Sequence, residues 1–337
     1  MKIMRGLAVL VAGLALLSGL AAWYGLAVPG TRYQGPLPAP TEAERQLADA
    51  LRRDVIAIAS LPHNTRHVQN LEAAERTIAK ALADAGYSVE RQAYREAVNG
   101  VTVANLAAVI EPATRSADTQ SLIIGAHYDS CCANCCDAPG ANDNGTGTAA
   151  VLQLARLLGD LKPSRMRLRF VLFVNEECPY CRTADMGSVR YAKLLAERGE
   201  KVAGMLSLET IGAFSDAPGS QKYPVPFRFI YPSTANFVAF VGLPGARGFL
   251  HQVLGGFRAS TQFPSIGGLA PDAIPGIGWS DHWSFAVHGW PALMVTDTAF
   301  FRYPHYHRPS DTPDKVDYDK LARIVKGLER TLRDIAK

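Results

Sequence analysis

Five apolar runs of strand length, separated by helical patterns, constrain the fold of this 337-residue chain more than any other feature. The runs occupy residues 101–110, 122–126, 168–174, 205–208 and 292–295. Apolar residues recur with a helical period between several of them, most clearly over residues 148–158 and 189–197. Continuous apolar strands that alternate with helices indicate a largely parallel sheet covered on both faces. The sequence therefore predicts an α/β fold.

The first 28 residues differ in composition from the rest of the chain. Lys2 and Arg5 precede an uncharged segment, residues 6–28, that consists largely of Leu, Ala, Val and Gly. As a helix this segment would be roughly 34 Å long, enough to cross a bilayer core of about 30 Å. We expect residues 1–28 to be an uncleaved signal anchor or a cleaved signal peptide. In both cases the basic residues before the segment place the rest of the chain outside the cytoplasm, in the periplasm or at the cell exterior.

The remaining residues are predicted to form one linker and one domain. Residues 29–40 are rich in proline and glycine, which is typical of a linker. Residues 213–275 are poorly periodic, and we interpret them as excursions above the sheet within a single domain of residues 41–337. The formal charge is only +4 and the arginines are scattered, so the sequence argues against a nucleic-acid partner.

Acidic and histidine side chains follow three of the apolar runs at the point where each run ends. They are His127 and Asp129 after the second run, Glu176 and Glu177 after the third, and Glu209 after the fourth. Ligands bind at the carboxyl ends of the strands in open α/β sheets, so we expect these side chains to meet in one crevice. Asp143, just before a predicted helix, and a late segment with His305 and His307 add further candidate ligands.

Each of these side chains has an ordinary structural role when it is taken alone. A histidine at a strand end is commonly hydrogen-bonded within the core, and a Glu-Glu pair or an Asn-Asp-Asn-Gly stretch is commonly a turn. Together they would place several like charges in one crevice, which is costly unless a cation neutralises them. Two divalent ions would do so, and histidine with carboxylate ligands suits zinc. The pattern therefore favours a metal site.

Six segments, in their order and spacing, resemble the M28 family of zinc peptidases. They are His127-Tyr-Asp129, Gly140-Ala-Asn-Asp143-Asn-Gly145, Asn175-Glu176-Glu177, Leu208-Glu209-Thr-Ile-Gly212, Ser280-Asp-His282-Trp-Ser-Phe285 and Tyr306-His307-Arg-Pro-Ser-Asp-Thr312. The resemblance extends from about Leu47 to Tyr318. It implies a single zinc-exopeptidase fold, with a mixed, mostly parallel sheet of about eight strands sandwiched by helices. It also implies two zinc ions per chain and peptide substrates, most commonly cut at the amino end.

The resemblance further implies a role for individual residues. Five side chains would be metal ligands: His127 and Glu209 for the first ion, Glu177 and His307 for the second, and Asp143 as the bridge. Position 209 carries Glu where many aminopeptidases of the family have Asp, and this keeps the carboxylate. Asp129 would orient the ring of His127 through its other nitrogen. Glu176 would be the general base, and Tyr306 would donate to the oxyanion or else pack beneath the metal site.

All six cysteines lie in two short segments, with Cys131, Cys132, Cys135 and Cys136 in the first and Cys178 and Cys181 in the second. The first segment separates His127 from Asp143 and the second follows Glu177, so we expect both at the rim of the crevice. An even number of cysteines in an exported protein favours disulfides. A thiolate metal cluster and a redox switch over the active site are the alternatives.

The resulting prediction is a two-zinc aminopeptidase. The enzymatic alternative is a glutaminyl-cyclase-like enzyme with one zinc ion, and the complete ligand set argues against it. The non-enzymatic alternative is a membrane-tethered binding protein, and the intact Glu176–Glu177 pair argues against that. The substrate pocket is expected within residues 213–275. Its aromatic candidates, which would line a subsite or pack in the core, are Phe214, Tyr231, Phe237 and Phe257.

Overall fold

The computed structural model describes residues 2–135, 137–225 and 227–337, except for the side chains of residues 2–4 and 6–9. Eight strands of these residues form one sheet. They are β1 (Glu90–Arg95), β2 (Thr102–Ile110), β3 (Gln120–His127), β4 (Met166–Phe173), β5 (Lys201–Leu208), β6 (Val238–Gly242), β7 (Ser265–Leu269) and β8 (Ala292–Thr296). Their order across the sheet is β1-β2-β4-β3-β5-β8-β6-β7. The four central strands, from β4 to β8, are parallel, and antiparallel pairs join them to the flanking strands.

The sheet confirms the α/β prediction, because the five apolar runs coincide with β2, β3, β4, β5 and β8. The sequence does not predict the other three strands. β1 is a mostly exposed edge strand with polar residues, while β6 and β7 have five residues each and include glycines. The interpretation of residues 213–275 as excursions above the sheet is therefore wrong in part, since this segment supplies β6 and β7.

Nine α-helices are present in the described part of the chain. They are α1 (Lys2–Leu26), α2 (Glu42–Ala59), α3 (Val68–Asp84), α4 (Gly147–Leu158), α5 (Gly187–Glu197), α6 (Arg247–Ser260), α7 (His282–Ala286), α8 (Ala299–Arg302) and α9 (Tyr318–Ile335). The helix α2 begins at a capping box, in which Glu44 N donates to Thr41 Oγ1 and Thr41 N donates to Glu44 Oε2. A short π-helical turn (Ala141–Thr146) leads into α4 and carries Asp143, one of the candidate ligands.

Helices cover the sheet on both faces, as continuous apolar strands require. The helices α2, α3, α4, α6 and α9 share one apolar core with the first face, in which Leu51, Ile78 and Leu328 are fully buried. The helices α5 and α7 cover the second face through Tyr191 and Phe285. Burial of the strands on both faces leaves their carboxyl ends as the place where polar side chains reach solvent.

The N-terminal residues lead from α1 to the domain surface. Tyr24 Oη donates to the backbone oxygen of Pro244, and Arg258 donates from Nη1 to the backbone oxygens of Pro29 and Gly30. The predicted linker, residues 29–40, thus lies against the domain. Among the described residues, no helix combines the length and apolar character that crossing a membrane requires. The membrane segment predicted within residues 1–28 is therefore not supported.

Candidate functional site

The three central strands β4, β3 and β5 place the predicted residues at one edge of the sheet. His127 is the last residue of β3, and Glu209 directly follows β5. Because β3 pairs in parallel with β4 and β5, the residues after all three strands lie side by side. His127 Nε2 lies 3.3 Å from Glu209 Oε2 and 3.5 Å from Asp143 Oδ1. Glu177, which follows β4, faces the same crevice and has Oε1 3.1 Å from His307 Nε2.

Two groups of side chains at this edge have metal-ligand spacing, and they share one residue. His127, Asp143 and Glu209 form the first group, and Asp143, Glu177 and His307 form the second. Within each group all ligand atoms lie within 4.8 Å of one another. We call these five residues the ligand cluster. Asp143 belongs to both groups and has one oxygen toward each histidine, 3.5 Å from His127 Nε2 and 3.1 Å from His307 Nε2.

The ligand cluster fits zinc in its chemistry and in its unmet polar contacts. Asp143 Oδ2 and Glu177 Oε1 are buried and receive no well-oriented hydrogen bond from the described residues, although His307 Nε2 lies 3.1 Å from each. Buried carboxylate oxygens without donors are costly unless a cation meets them. Imidazole nitrogens and carboxylate oxygens are the ligands that zinc accepts in hydrolytic sites.

The pKa shifts of the cluster residues also indicate that this site needs positive charge. Burial raises the pKa of Glu209 to about 8. Burial alone would lower the pKa of His307, but the carboxylates of Asp143 and Glu177 raise it to about 11. Burial would raise the pKa of Asp143, but the neighbouring rings of His127 and His307 hold it below the ordinary range. The cluster therefore holds more carboxylate charge than its two histidines balance without protons or metal ions.

Glu176 lies beside the ligand cluster and belongs to neither ligand group. Its Oε2 is 3.9 Å from His127 Nε2, and its side chain remains 12% exposed to the crevice. Burial, together with the charges of Glu209 and Glu177, raises the pKa of Glu176 well above its ordinary value. A carboxylate with a raised pKa at the edge of the cluster has the properties of a proton acceptor and donor.

Asp129 joins His127 to the segment that carries Glu176 and Glu177. His127 Nδ1 lies 3.0 Å from the backbone oxygen of Asp129 and 3.6 Å from its Oδ1. The Asp129 carboxylate also accepts hydrogen bonds from the backbone nitrogens of Glu176 (3.2 Å) and Glu177 (3.4 Å). The other nitrogen of His127 therefore meets the backbone of Asp129 more closely than its carboxylate, and the carboxylate positions the two glutamates.

Tyr306 and His305 flank His307 in different ways. The ring of Tyr306 stacks on His307 at 4.0 Å between centroids and lines the crevice. Burial and the nearby carboxylates raise the pKa of Tyr306 well above its ordinary value, so the hydroxyl keeps its proton. The half-exposed His305 instead lies with Nδ1 2.9 Å from Ser310 Oγ and belongs to neither ligand group.

Sequence reasoning assigned no role to several buried residues that support the ligand cluster. Ser280 Oγ donates to Glu209 Oε2 at 2.9 Å. The Asp311 carboxylate accepts from the backbone nitrogens of Asn142 (2.9 Å) and Asp143 (3.1 Å) and from the Tyr303 hydroxyl (2.7 Å). Both residues could have been noticed in the sequence, because Ser280 and Asp311 lie in segments that carry the family resemblance.

Asp297 is another residue that supports the ligand cluster. It could have been identified from the sequence, because it is an acidic residue that comes just after an apolar run. It follows β8 directly, as His127 and Glu209 end or follow their strands. Its carboxylate accepts from Thr210 Oγ1 (2.7 Å), Gly212 N (2.9 Å) and Asn142 Nδ2 (3.1 Å). Asp297 thus connects the turn after β5 to the turn that carries Asp143.

The cysteines form disulfides within their loops at the rim of the crevice. Cys131 pairs with Cys135 and Cys178 pairs with Cys181, which confirms the disulfide prediction for these four residues. Among the described cysteines, Cys132 belongs to neither disulfide; it is buried, and its Sγ lies 3.3 Å from Thr65 Oγ1. The predicted involvement of Cys136 lies outside the described residues.

An apolar cleft of about 950 Å³, including its solvent-open part, extends from Glu209 and Tyr306. We call five of its lining residues the apolar wall: Tyr231, Ile266, Trp279, Met294 and Phe300. Of the four aromatic candidates from the sequence, only Tyr231 lines this cleft. Phe237 and Phe257 are fully buried core residues, and Phe214 packs edge-on against Phe263.

Comparison with known proteins places this site in a family. The chain matches the model of peptidase family M28 over residues 105–237 and 260–331. It is 37% identical over 272 residues to uncharacterized protein YfbL of Escherichia coli (strain K12), a match that covers 79% of this chain and 81% of that protein. The chain therefore belongs to peptidase family M28, a family of zinc-dependent hydrolases.

Two further relatives match less of their own length. A probable zinc metalloprotease of Pyrenophora tritici-repentis (strain Pt-1C-BFP) is 27% identical over 281 residues, which cover 74% of this chain and 56% of that protein. Leucine aminopeptidase 1 of Arthroderma otae (strain ATCC MYA-4605 / CBS 113480) is 25% identical over 230 residues, which cover 64% of this chain and 54% of that protein. The matches thus span about half the length of these two relatives.

Solved structures of two kinds of enzyme share the fold. The aminopeptidase from Aneurinibacillus sp. strain AM-1 has a TM-score of 0.64 at 18% identity, covering 88% of this chain and 95% of that one. The Fimbriiglobus ruber glutaminyl cyclase has a TM-score of 0.61 at 19% identity, covering 91% of this chain and 99% of that one. At these identities the likeness concerns the fold alone.

Proposed function

We propose that this chain is a two-zinc exopeptidase that removes residues from the amino end of peptides. The observation that carries the proposal is the pair of ligand groups that share Asp143, each with all its ligand atoms within 4.8 Å. A single zinc ion requires only one such group. The relative named leucine aminopeptidase supports the choice of the amino end.

Each residue of the site has a distinct proposed role in hydrolysis. The ligand cluster would hold two zinc ions, which supply an activated water molecule and polarise the scissile carbonyl. Glu176, at the edge of the cluster and with a raised pKa, would accept a proton from the attacking water and donate it to the leaving amine. Asp129 holds Glu176 and Glu177 in place through their backbone nitrogens. Tyr306 is placed beside His307 to donate to the oxyanion.

The apolar wall supports a preference for apolar side chains next to the scissile bond. The cleft begins at Glu209 and Tyr306, so a substrate carbonyl at the ligand cluster has a side-chain pocket beside it. Charged substrate side chains would lose hydration against Ile266, Met294 and Phe300 without gaining partners. We therefore propose leucine-like and aromatic N-terminal residues as the preferred substrates.

Metal content and hydrolysis of amino-acid anilides by the purified full chain test the proposal. We expect about two zinc ions per chain, and chelator-sensitive release of anilide faster for leucine than for glutamate or lysine. A protein that binds two zinc ions but cleaves only peptides blocked at the amino end would contradict the aminopeptidase assignment. A protein that binds no zinc would contradict the whole proposal.

A single-zinc glutaminyl cyclase is the second candidate, because an enzyme of that kind shares the fold over 91% of this chain. The presence of His127 in the first ligand group favours an enzyme with two zinc ions. The two candidates differ in a simple assay. Cyclisation of an N-terminal glutaminyl peptide by a protein that holds one zinc ion per chain would establish the second candidate and exclude the first.

We also propose that the enzyme works outside the cytoplasm. The two disulfides support this location, because disulfides persist mainly in oxidising compartments. The charged start of the chain, followed by apolar residues, supports export as well. Fractionation of cells that express the full chain tests the proposal, and activity confined to the cytoplasmic fraction would contradict it.

A further inference from the structure

The loop after β3 brings two cysteines to the second ligand group. Sγ of Cys131, Sγ of Cys135 and a ring nitrogen of His307 all lie within 4.8 Å of one another. Zinc binds sulfur at about 2.3 Å and histidine nitrogen at about 2.0 Å, so two ligands of one tetrahedral ion lie about 3.5–3.8 Å apart. The two sulfur atoms are bonded to each other, and the His307 nitrogen lies near enough to both for one zinc ion to reach all three atoms once that bond is broken and the sulfur atoms separate. The disulfide between the two cysteines prevents them from acting as thiolates.

The two cysteines differ in how firmly the protein holds them. Cys131 is buried, and its backbone oxygen accepts from Asn64 Nδ2 at 2.8 Å. The preceding residue, Ser130, donates from its backbone nitrogen to the backbone oxygen of His63 at 3.0 Å. Cys135 is only half-buried and lies in a turn, so a reductant in solution reaches the disulfide from this side. Cleavage of the bond would leave Cys131 in place beside His307.

His307 belongs to two competing ligand sets. In one set it lies 3.1 Å from Asp143 Oδ2 and from Glu177 Oε1, and in the other it lies near the two sulfur atoms. Thiolates are softer ligands than carboxylates, and a site with two thiolates and one histidine is well suited to zinc. A zinc ion held by His307 would therefore move toward the sulfur atoms once they were free.

We propose that Cys131, Cys135 and His307 form an alternative zinc site, available only when the Cys131–Cys135 bond is reduced. The inference rests on the proposed role of His307 as a ligand of the second zinc ion. A dithiol reductant breaks the S–S bond, gives two electrons and two protons to the sulfur atoms and itself closes to a disulfide. Zinc binding then releases the two thiol protons to solvent. Reduction thus removes His307 from the ligand group that it shares with Asp143 and Glu177. The hydrolytic site is therefore complete only when the disulfide is formed.

The chain offers a matched control for this assignment. Cys132 and Cys136 belong to the same sequence segment, have the same spacing as the proposed pair and differ from it by one position each. The second disulfide, Cys178–Cys181, belongs to no group with metal-ligand spacing in the described part of the chain. Reduction of the whole protein cleaves both disulfides together, so paired serine variants are needed to identify the thiolate ligands.

Cobalt spectroscopy of the full chain tests the inference without an activity assay. We would load the metal-free protein with Co²⁺ in its oxidised form and after reduction by a phosphine, which consumes one water molecule and becomes a phosphine oxide. The expected result is a thiolate-to-cobalt charge-transfer band in the reduced protein alone. The Cys131→Ser/Cys135→Ser variant should lack the band, and the Cys132→Ser/Cys136→Ser variant should keep it. Absence of the band in reduced wild-type protein, or its persistence in the first variant, would overturn the inference.

Two features keep this test decisive. Oxidised protein with visible cobalt bands from nitrogen and oxygen ligands, but no thiolate band after reduction, would overturn the inference and leave the proposed function intact. Protein that binds no cobalt in either state would overturn both. If the serine variants fail to fold, alkylation of reduced wild-type protein with and without zinc gives the same answer. Zinc should protect Cys131 and Cys135 from labelling, and equal labelling of both in the two samples would contradict the inference.

Discussion

The ligand cluster and the apolar wall adjoin in one crevice, yet they are built in different ways. His127 and Glu209 end or follow strands whose parallel pairing fixes their separation. The apolar wall is assembled from β7, β8, a short helix and two connecting segments that are distant in sequence. The first region is rigid because the sheet defines it, whereas the second depends on how loops pack against the sheet edge.

This difference separates the chemistry from the choice of substrate. A carboxylate at the end of a central strand can be moved only by disturbing the sheet, so the reaction is tied to the fold. A side chain on a connecting segment can change without disturbing the core, so specificity can vary between relatives. Substitutions in the ligand cluster and its supports should therefore abolish turnover or metal binding. Substitutions in the apolar wall should alter the affinity for particular substrates.

The largest expected effect is at Glu176, and its neighbour Glu177 provides the comparison. Glu176→Gln keeps the size of the side chain but removes the proton acceptor, so we expect turnover to fall by about 10²–10⁴-fold while the metal content stays at the wild-type level. Glu177→Gln weakens a proposed metal ligand, so metal content itself should fall. Zinc analysis and anilide hydrolysis on both variants check this, and retained turnover in Glu176→Gln would exclude it as the base.

Asp311 tests whether supports outside the ligand cluster position Asp143. Asp311→Asn replaces an acceptor of two backbone hydrogen bonds with a group that offers only one oxygen, so the turn with Asp143 should loosen. We expect zinc affinity to fall roughly 10–100-fold, as is typical for residues that orient metal ligands. Competition with a chelator of known affinity measures this. Asp314→Asn, three residues further on and exposed, is the control, and equal affinities in the two variants would contradict the prediction.

The same contrast explains how much could be predicted from the sequence. His127, Glu176, Glu177 and Glu209 end or follow continuous apolar runs, and an apolar run followed by a charge is a pattern that the sheet geometry makes meaningful. Ile266 and Met294 of the apolar wall are the same residue types that fill the core. Whether an apolar side chain on a strand faces the cleft or the core depends on what covers that part of the sheet, and no local pattern encodes that cover. Short strands such as β7, with two consecutive glycines among five residues, contain too few apolar side chains to show a strand period.

Trp279 tests the apolar wall itself. It is 48% exposed, packs edge-on against Phe300 at 4.7 Å and lines the cleft, so its removal should leave the core intact. Trp279→Ala should raise KM for leucine anilide about tenfold with little change in kcat, because the contact binds substrate and transition state alike. Val287→Ala, at another exposed apolar residue that is not part of the cleft, is the control. A fall in kcat at unchanged KM would mean that the wall serves the chemistry as well.

His282 holds a residue that lines the cleft, and its titration is predicted to affect stability rather than turnover. His282 Nε2 donates to the backbone oxygen of Ile277, which lines the cleft, and Nδ1 has no hydrogen-bond partner among the described residues. Burial lowers the pKa of His282 to about 4, whereas the unfolded chain titrates near the ordinary value of 6.5. At pH values between these two pKa values, the imidazole of His282 is protonated in the unfolded chain and neutral in the folded protein. Stability should therefore fall with decreasing pH, by up to about 1.4 kcal/mol per pH unit.

Urea unfolding between pH 7 and about pH 4.5 should show a shallower acid slope for His282→Gln than for wild type, with the exposed His288→Gln as the control. Because the ligand cluster titrates in all three proteins, only the difference between their slopes reports on His282. Equal slopes for the His282 variant and wild type would contradict the prediction.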